Sequence, residues 1–186
     1  MEQVADRYRR LAAAMTDRID AVPDDAWGRR TPCDEWTARE LVGHLLDVHG
    51  RFESLVGREL VSHPPVDDDP AAAWAAVRDQ MQADLDDPAK VGEEYVGRFG
   101  RSTFGQAVDG FVCFDLVVHG WDLAHATGLD ETMDPQEVER SQAMVDAMGE
   151  TMLENGVIRA PVEPAQDASA QDRLLCALGR DPQSRS

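Results

Sequence analysis

The chain has 186 residues, and its 36 acidic against 18 basic side chains give a formal net charge of -18. Because phosphate contacts require a basic face, this excess of acid argues against nucleic-acid binding, and it also disfavours an anionic membrane surface. The length and the hydrophobic content of 42% predict one globular domain with a substantial core.

Apolar residues at helical spacing predict a first α-helix over residues 2–20, which Pro23 ends. A T-x-x-E capping box at Thr37 and Glu40 starts a second helix that runs to about Val56. Asp69 followed by a proline at the first helical position predicts a third helix over about 70–87.

The glycine-rich segment VGEEYVGRFGRS is predicted to be a loop or a brief strand pair. A capping box at Thr103 and Gln106 then opens a fourth helix over about 103–127, and Asp134 caps a fifth over about 135–154. A short last helix is predicted within DASAQDRLLCALG. Long capped helices and few strand-like runs predict an all-α bundle over about 2–154, with a C-terminal extension over about 155–186.

The three cysteines, Cys33, Cys113 and Cys176, are far apart and odd in number, and they form no C-x-x-C pair. This favours a reducing compartment over a disulfide framework. The charged N-terminus lacks a signal-peptide apolar run, and no apolar run approaches the ~20 residues of a membrane span. The sequence therefore predicts a cytoplasmic protein.

The fourth predicted helix is apolar enough to be buried, yet it carries Asp115 and His119 four residues apart on one face. His44 lies on the apolar stripe of the second helix and also points inward. Two imidazoles and a carboxylate suit a divalent first-row metal, and three protein ligands leave a coordination position open, as in catalytic sites. The alternative is an ordinary hydrogen bond within a helix, which is the commoner meaning of a D-x-x-x-H pair.

The remaining candidates fit this site less well. His49 and His125 are turned away from the proposed ligands by helical spacing, although His125 stays a reserve candidate. Asp47 and Asp122 each follow a proposed histidine ligand by three residues, where a carboxylate can fix the imidazole tautomer. Trp121 is a candidate for the wall of a pocket.

Three segments, in this order, resemble the DinB / mycothiol-dependent maleylpyruvate isomerase-like superfamily, and within it the actinobacterial branch of small metal-binding proteins. They are TPCDEWTARELVGHLLDVHGRF, FDLVVHGWDLAHATG and QDRLLCALGRDP. The resemblance implies a four-helix bundle with an additional C-terminal helix and a divalent metal between the helices. The positions that match the family ligands are His44, Asp115 and His119, with aspartate where family members carry glutamate or histidine. Lys90 is the only lysine, which fits a GC-rich, actinobacterial source.

The resemblance further implies an enzyme that uses a low-molecular-weight thiol such as mycothiol. A coordinated thiol loses its proton readily, and the thiolate then attacks a small electrophilic substrate, giving S-transfer or isomerisation. Zinc is the expected ion, with nickel, iron or cobalt as alternatives. Trp36 is a second candidate for the pocket wall, and Arg98 and Arg101 are candidates to meet an anionic group. Cys33 is a candidate reactive thiol.

Two other functions stay open at this point. A non-catalytic metal- or ligand-binding module predicts a fourth protein ligand such as His125 or His49. A metal-dependent hydrolase predicts a carboxylate near the metal that is free to act as base, for which Asp122 is the candidate. The expected partners are small molecules, with no nucleic acid and no membrane, and the chain is a monomer or a homodimer.

Overall fold

A computed structural model describes residues 3–33, 36–97 and 100–184. The helices are α1 (Val4–Ala21), α2 (Ala38–Ser54), α3 (Pro70–Asp86), α4 (Pro88–Val91), α5 (Phe104–Ala107), α6 (Cys113–Thr127), α7 (Pro135–Glu154) and α8 (Ala170–Ala177). Strands β1 (Glu94–Gly97) and β2 (Gly100–Thr103) pair antiparallel. The predicted all-α class is therefore confirmed. Within the described ranges, no helix is long and apolar enough to cross a membrane.

Four helices enclose the core. Helix α1 packs against α3 and α6, and α2 packs against the same two helices, while α7 packs against α8. The largest fully buried side chains of this core include Trp74, Trp121, Tyr8, Met15, Leu41, Leu45 and Met81. The predicted four-helix bundle with an additional C-terminal helix is confirmed: α8 is that helix, and α7, which the sequence places within the bundle, packs against it.

The predicted caps explain where the helices begin. Thr37 and Thr103 each form a complete capping box, with Glu40 and Gln106 respectively. Asp69 and Asp134 accept main-chain N–H groups at the starts of α3 and α7, each followed by proline. These side chains satisfy N–H groups that a helix cannot pair internally, so the starts could be read from the sequence.

The predicted helix over 103–127 is not one continuous α-helix. A π-helical turn, Val108–Val112, separates α5 from α6, and the Cys113 N–H donates to the Val108 carbonyl. The buried Arg7 guanidinium donates to both the carbonyl and the side chain of Asp109. A side chain that enters the i→i−4 ladder in this way is a known cause of such irregularities.

His49 has a structural environment that ties stability to pH. Its side chain is fully buried, with the Tyr8 hydroxyl 2.9 Å from Nε2 and the Leu45 carbonyl 2.7 Å from Nδ1. The pKa of His49 is lowered to about 4 by burial, against which Leu45 and Asp115 act in the opposite direction. Between about pH 6.5 and pH 4 the unfolded chain therefore binds a proton at His49 more readily than the folded chain does.

We expect the free energy of unfolding of the metal-free protein to fall by roughly 2 kcal/mol from pH 7 to pH 5 through this one group. Urea denaturation in the presence of chelator measures it. His49→Gln should flatten the dependence over that range, whereas His63→Gln, a change in the loop before α3, should leave it as steep as in the wild type. Equal slopes in all three proteins would exclude His49 as the cause.

Candidate metal centre

The three predicted ligands meet between two helices of the bundle. His44 comes from α2 and Asp115 and His119 from α6, and each residue offers a ligand atom within 4.8 Å of the other two. His44 Nε2 lies 3.6 Å from Asp115 Oδ2, and the two imidazole centroids are 4.9 Å apart and nearly perpendicular. The packing of α2 on α6 thus brings together residues that are more than seventy positions apart in the sequence.

The donor set and its spacing fit one divalent ion. Two ligands at ~2.0–2.1 Å from a tetrahedral zinc lie about 3.3 Å from each other. The observed 3.6 Å between His44 Nε2 and Asp115 Oδ2 is close to that spacing and longer than an ordinary N–H···O hydrogen bond. The side chains of His44, Asp115 and His119 are 20%, 23% and 7% exposed, so the group opens towards solvent on the side of His44 and Asp115.

The surroundings of Asp115 favour its ionised, carboxylate form. Burial alone would raise its pKa, but the rings of His44 and His119 lower the pKa of Asp115 below its usual value. Metal ligands must be deprotonated to bind, so this electrostatic environment suits coordination.

His119 is held by the predicted acceptor Asp122. Its Nδ1 lies 2.9 Å from Asp122 Oδ2, and both side chains are buried. A carboxylate can only accept, so Nδ1 carries the proton and Nε2 is the nitrogen left to bind an ion. This is the arrangement in which an outer carboxylate orients a metal-binding histidine.

Asp122 is itself bound by Arg180, which follows α8. The guanidinium donates from Nε to Oδ1 at 3.0 Å and from Nη2 to Oδ2 at 2.7 Å. Burial alone would raise the pKa of Asp122, but Arg180 and His119 lower it to about 2. Asp122 is thus a fully engaged acceptor, with a hydrogen-bond donor on each of its two oxygens.

A cavity of about 440 Å³ opens beside His44. The Trp36 ring is stacked on the His44 ring, with 4.1 Å between centroids and 22° between planes, and it forms one wall. The remaining lining residues are Arg39, Glu40, Gly43, Asp47, Val66 and Asp67. A small ligand bound in this cavity would lie against His44 and under Trp36.

The other predicted residues of the site lie further out. Asp47 is exposed on the rim of this cavity, and within the described residues it forms no hydrogen bond with His44. Trp121 is buried and stacked on His125, whose Nε2 donates to the Ser184 carbonyl. Among residues 3–33, 36–97 and 100–184, no fourth histidine, cysteine or carboxylate joins the group of His44, Asp115 and His119.

Two of the remaining candidates can be placed. Arg101 is exposed and paired with Glu94, whereas Arg98 lies outside the described residues.

Cys33 lies on the Asp122 side of His119, with ligand atoms of the three residues within 4.8 Å, and Arg180 Nη2 is 3.6 Å from its sulfur. By contrast, Cys113 is buried, and burial raises its pKa to about 12.

Sequence reasoning missed Arg180 as a residue of this site. The segment LGRDP is part of the family pattern, but nothing in the pattern assigns a role to its arginine. The available signal in the sequence was Gly179, because glycine is typical of the position just after a helix. In the structure Gly179 has φ +80°, the left-handed conformation that such positions adopt. What the sequence did not show is that this turn directs Arg180 to a carboxylate 58 residues earlier.

A family comparison bears on the origin of this centre. Residues 8–124 match the family model described as the mycothiol maleylpyruvate isomerase N-terminal domain, a part of the DinB-like superfamily. The chain belongs to this family. The match spans α1 to most of α6 and so contains all three candidate ligands, while Arg180 lies beyond it.

Related proteins carry the resemblance over nearly the whole chain. Two uncharacterized proteins of Mycobacterium tuberculosis, from strains CDC 1551 / Oshkosh and ATCC 25618 / H37Rv, are each 31% identical over 181 residues. The aligned region covers 93% of this chain and 95% of theirs. No solved structure matches the chain. Membership of the mycothiol maleylpyruvate isomerase family points to a mycothiol-related function.

Proposed function

We propose that this protein is a divalent-metal-dependent enzyme, with zinc at His44, Asp115 and His119, that uses mycothiol in S-transfer to, or isomerisation of, a small electrophilic substrate. One observation carries the proposal. Ligand atoms of two imidazoles and one carboxylate lie within 4.8 Å of one another, beside a cavity, in a chain of this family. Metal coordination and thiol chemistry require those features together.

The metal would supply one chemical effect, which is to favour the thiolate form of a bound thiol at neutral pH. The protein's own residues account for the rest. His44, Asp115 and His119 would hold the ion and leave access for a thiol sulfur, and Trp36 covers the His44 ring and limits the approach to the adjacent cavity. The sulfur then forms a bond to an electrophilic carbon, displacing a leaving group in transfer or departing again after isomerisation.

Two observations favour this proposal over the other candidate functions. A closed, non-catalytic metal site would use a fourth protein ligand, but His125 is bonded to the Ser184 carbonyl and His49 to Tyr8 and Leu45. A hydrolase would need a free carboxylate base near the ion, but Asp122 already accepts from His119 and from Arg180. The proposed open position is therefore better suited to an exogenous ligand such as a thiol.

The deciding experiment is to replace the bound metal by cobalt and titrate mycothiol while recording the absorption spectrum. We expect a new sulfur-to-cobalt charge-transfer band that saturates with one thiol per site. The serine analogue of the thiol, in which oxygen replaces sulfur, is the matched control and should give no band. Cobalt that is demonstrably bound, with an unchanged spectrum at saturating thiol, would contradict the proposal and favour hydrolysis or simple binding.

The charge around the cavity predicts which thiols enter most readily. The three carboxylates of Glu40, Asp47 and Asp67 line it and outnumber the one lining guanidinium, that of Arg39, which donates to the carbonyls of Val66 and Asp67. With the same cobalt band as readout, cysteamine should bind roughly tenfold more tightly than mercaptoacetate at low ionic strength, with neutral mercaptoethanol in between.

Salt and a single neutralisation test the electrostatic origin of that order. The preference for cysteamine should shrink as ionic strength rises above ~0.1 M, since exposed charges are then screened. Asp47→Asn should reduce it at low salt, whereas Asp146→Asn, on α7, should not. Tighter binding of mercaptoacetate than of cysteamine would show that the acidic rim does not control entry.

A further inference from the structure

We propose that Arg180 is a positioning residue of the metal centre, acting through Asp122 to fix the His119 ring so that its Nε2 faces His44 and Asp115. The segment that follows α8 would then be a working part of a site whose ligands all lie in the bundle. This inference rests on the proposed function, because it assigns a role towards the same metal ion.

The contact chain is continuous and buried. Arg180 is 7% exposed and Asp122 is fully buried, and their two hydrogen bonds, at 3.0 and 2.7 Å, form a two-pronged guanidinium–carboxylate pair. Asp122 Oδ2 also accepts from His119 Nδ1 at 2.9 Å. Because the pair fixes the plane of the carboxylate, it also fixes the direction from which the imidazole can donate.

The local backbone explains how Arg180 reaches this place. Helix α8 ends at Ala177, the Gly179 N–H donates to the Cys176 carbonyl, and the Arg180 N–H donates to the Leu175 carbonyl. Gly179 has φ +80°, and a Cβ there would lie 2.6 Å from Arg159 Cβ and 2.9 Å from the Ala160 carbonyl oxygen. Only glycine fits this turn, and the turn directs Arg180 back into the bundle.

The Arg180 guanidinium also accounts for a second group of side chains whose residue types can bind metal, which lies next to the candidate ligands. Cys33, His119 and Asp122 bring ligand atoms within 4.8 Å of one another, which by composition suits a metal ion. Arg180 already contacts two of the three, through Asp122 and the Cys33 sulfur. In this group the guanidinium of Arg180 therefore takes the place that a metal ion would have. The role of the group is to orient His119.

The same arginine connects His119 to Cys33, a hydrogen-bond partner of Trp36. The Cys33 sulfur lies 3.6 Å from Arg180 Nη2, and the Cys33 carbonyl accepts from the Trp36 N–H. Trp36 is stacked on His44. Arg180 is thus linked to one candidate ligand through Asp122, and it contacts Cys33, whose carbonyl accepts from the residue stacked on a second.

The test is Arg180→Gln, with zinc affinity measured by competition with a chromophoric chelator. We expect the zinc dissociation constant to rise about 10–100-fold, the range typical of losing a partner that orients a metal ligand. Arg180→Lys keeps the charge but not the planar fork, so its loss should be smaller. Arg173→Gln, an exposed arginine on α8, is the matched control and should bind zinc like the wild type. Circular dichroism checks that each variant is folded.

A second readout does not require metal. Nitrogen-15 shifts of the His119 ring in the zinc-free protein report which nitrogen carries the proton. We expect Nδ1–H in the wild type and a mixture of the two tautomers in Arg180→Gln. A folded Arg180→Gln protein with wild-type zinc affinity would overturn the inference. So would an Nε2–H tautomer in the wild type, a result that decides the matter even if the variant does not fold.

These readouts separate this inference from the proposed function. If the wild-type protein binds none of the three ions zinc, cobalt and nickel, the proposed function fails, whichever tautomer His119 adopts. If the wild type binds metal but Arg180→Gln binds it equally well, the proposed function stands and only the role of Arg180 is lost.

Discussion

Replacing His119 by alanine should remove the metal from the protein. His119 is the most enclosed of the three candidate ligands, with a side chain 7% exposed, and it is the one oriented by a buried carboxylate. We expect its loss to weaken zinc binding by more than about a hundredfold, beyond the effect typical of changing an outer partner. His44→Ala and Asp115→Ala should act in the same direction, since each removes one of three donors.

Metal content after gel filtration in zinc-containing buffer, with the dissociation constant from chelator competition, measures this effect. His125→Ala is the control, because His125 bonds to the Ser184 carbonyl and is not part of the ligand group. It should keep the wild-type zinc content. A full complement of metal in purified His44→Ala and His119→Ala proteins would mean that the metal is bound elsewhere.

Much of the fold could be predicted because its rules are local. The cap residues Thr37, Asp69, Thr103 and Asp134 begin the four long helical segments that follow α1, and each was identifiable from its own side chain and the residues just after it. The predicted end of the fifth helix at about residue 154 agrees with α7, which ends at Glu154. Hydrophobic periodicity and capping depend on spacing along one segment, so they can be read without knowing what packs against it.

The interruption between α5 and α6 could not be predicted in this way. The sequence over 103–127 has continuous helical character, whereas the π-helical turn Val108–Val112 accepts a hydrogen bond from Arg7, about a hundred residues earlier. A bond to the Asp109 carbonyl from another helix leaves no trace in the local pattern. The same reason explains why periodicity placed Asp115 and His119 on one face but gave no role to Arg180, which lies 58 residues after Asp122.

The site shows the same division between local and distant causes. Periodicity brought His44, Asp115 and His119 together, because an inward-facing position on one helix meets an inward-facing position on its neighbour. Asp122 was identified as an acceptor because it lies one turn after His119. Trp36 over His44, and Arg180 behind Asp122, come from segments outside these helices, where no periodicity applies. The candidate ligands and Asp122 could be anticipated from spacing, whereas the role of Arg180 could not.

The ion pair that joins α1 to α7 should contribute a large share of the stability. Glu137 on α7 is 1% exposed and accepts from Arg7 Nη2 at 2.6 Å and from Arg10 Nη2 at 2.7 Å. Burial alone would raise the pKa of Glu137, but the hydrogen bonds from Arg7 and Arg10 lower it. Its contribution is therefore fully present above the ordinary glutamate pKa and is lost as the pH falls below it.

Glu137→Gln should lower the free energy of unfolding at pH 7 by about 3 kcal/mol. Removing one charge of a buried pair leaves the other uncompensated, which typically costs about 3–5 kcal/mol, and Arg7 keeps a partial partner in Asp109. Urea denaturation of the metal-free protein measures the change, and Glu139→Gln, an exposed glutamate on the same helix, should shift it by less than about 0.5 kcal/mol. A loss as small as that of the control would show that the pair between α1 and α7 contributes little, and that the Asp109 carbonyl and side chain are sufficient partners for Arg7.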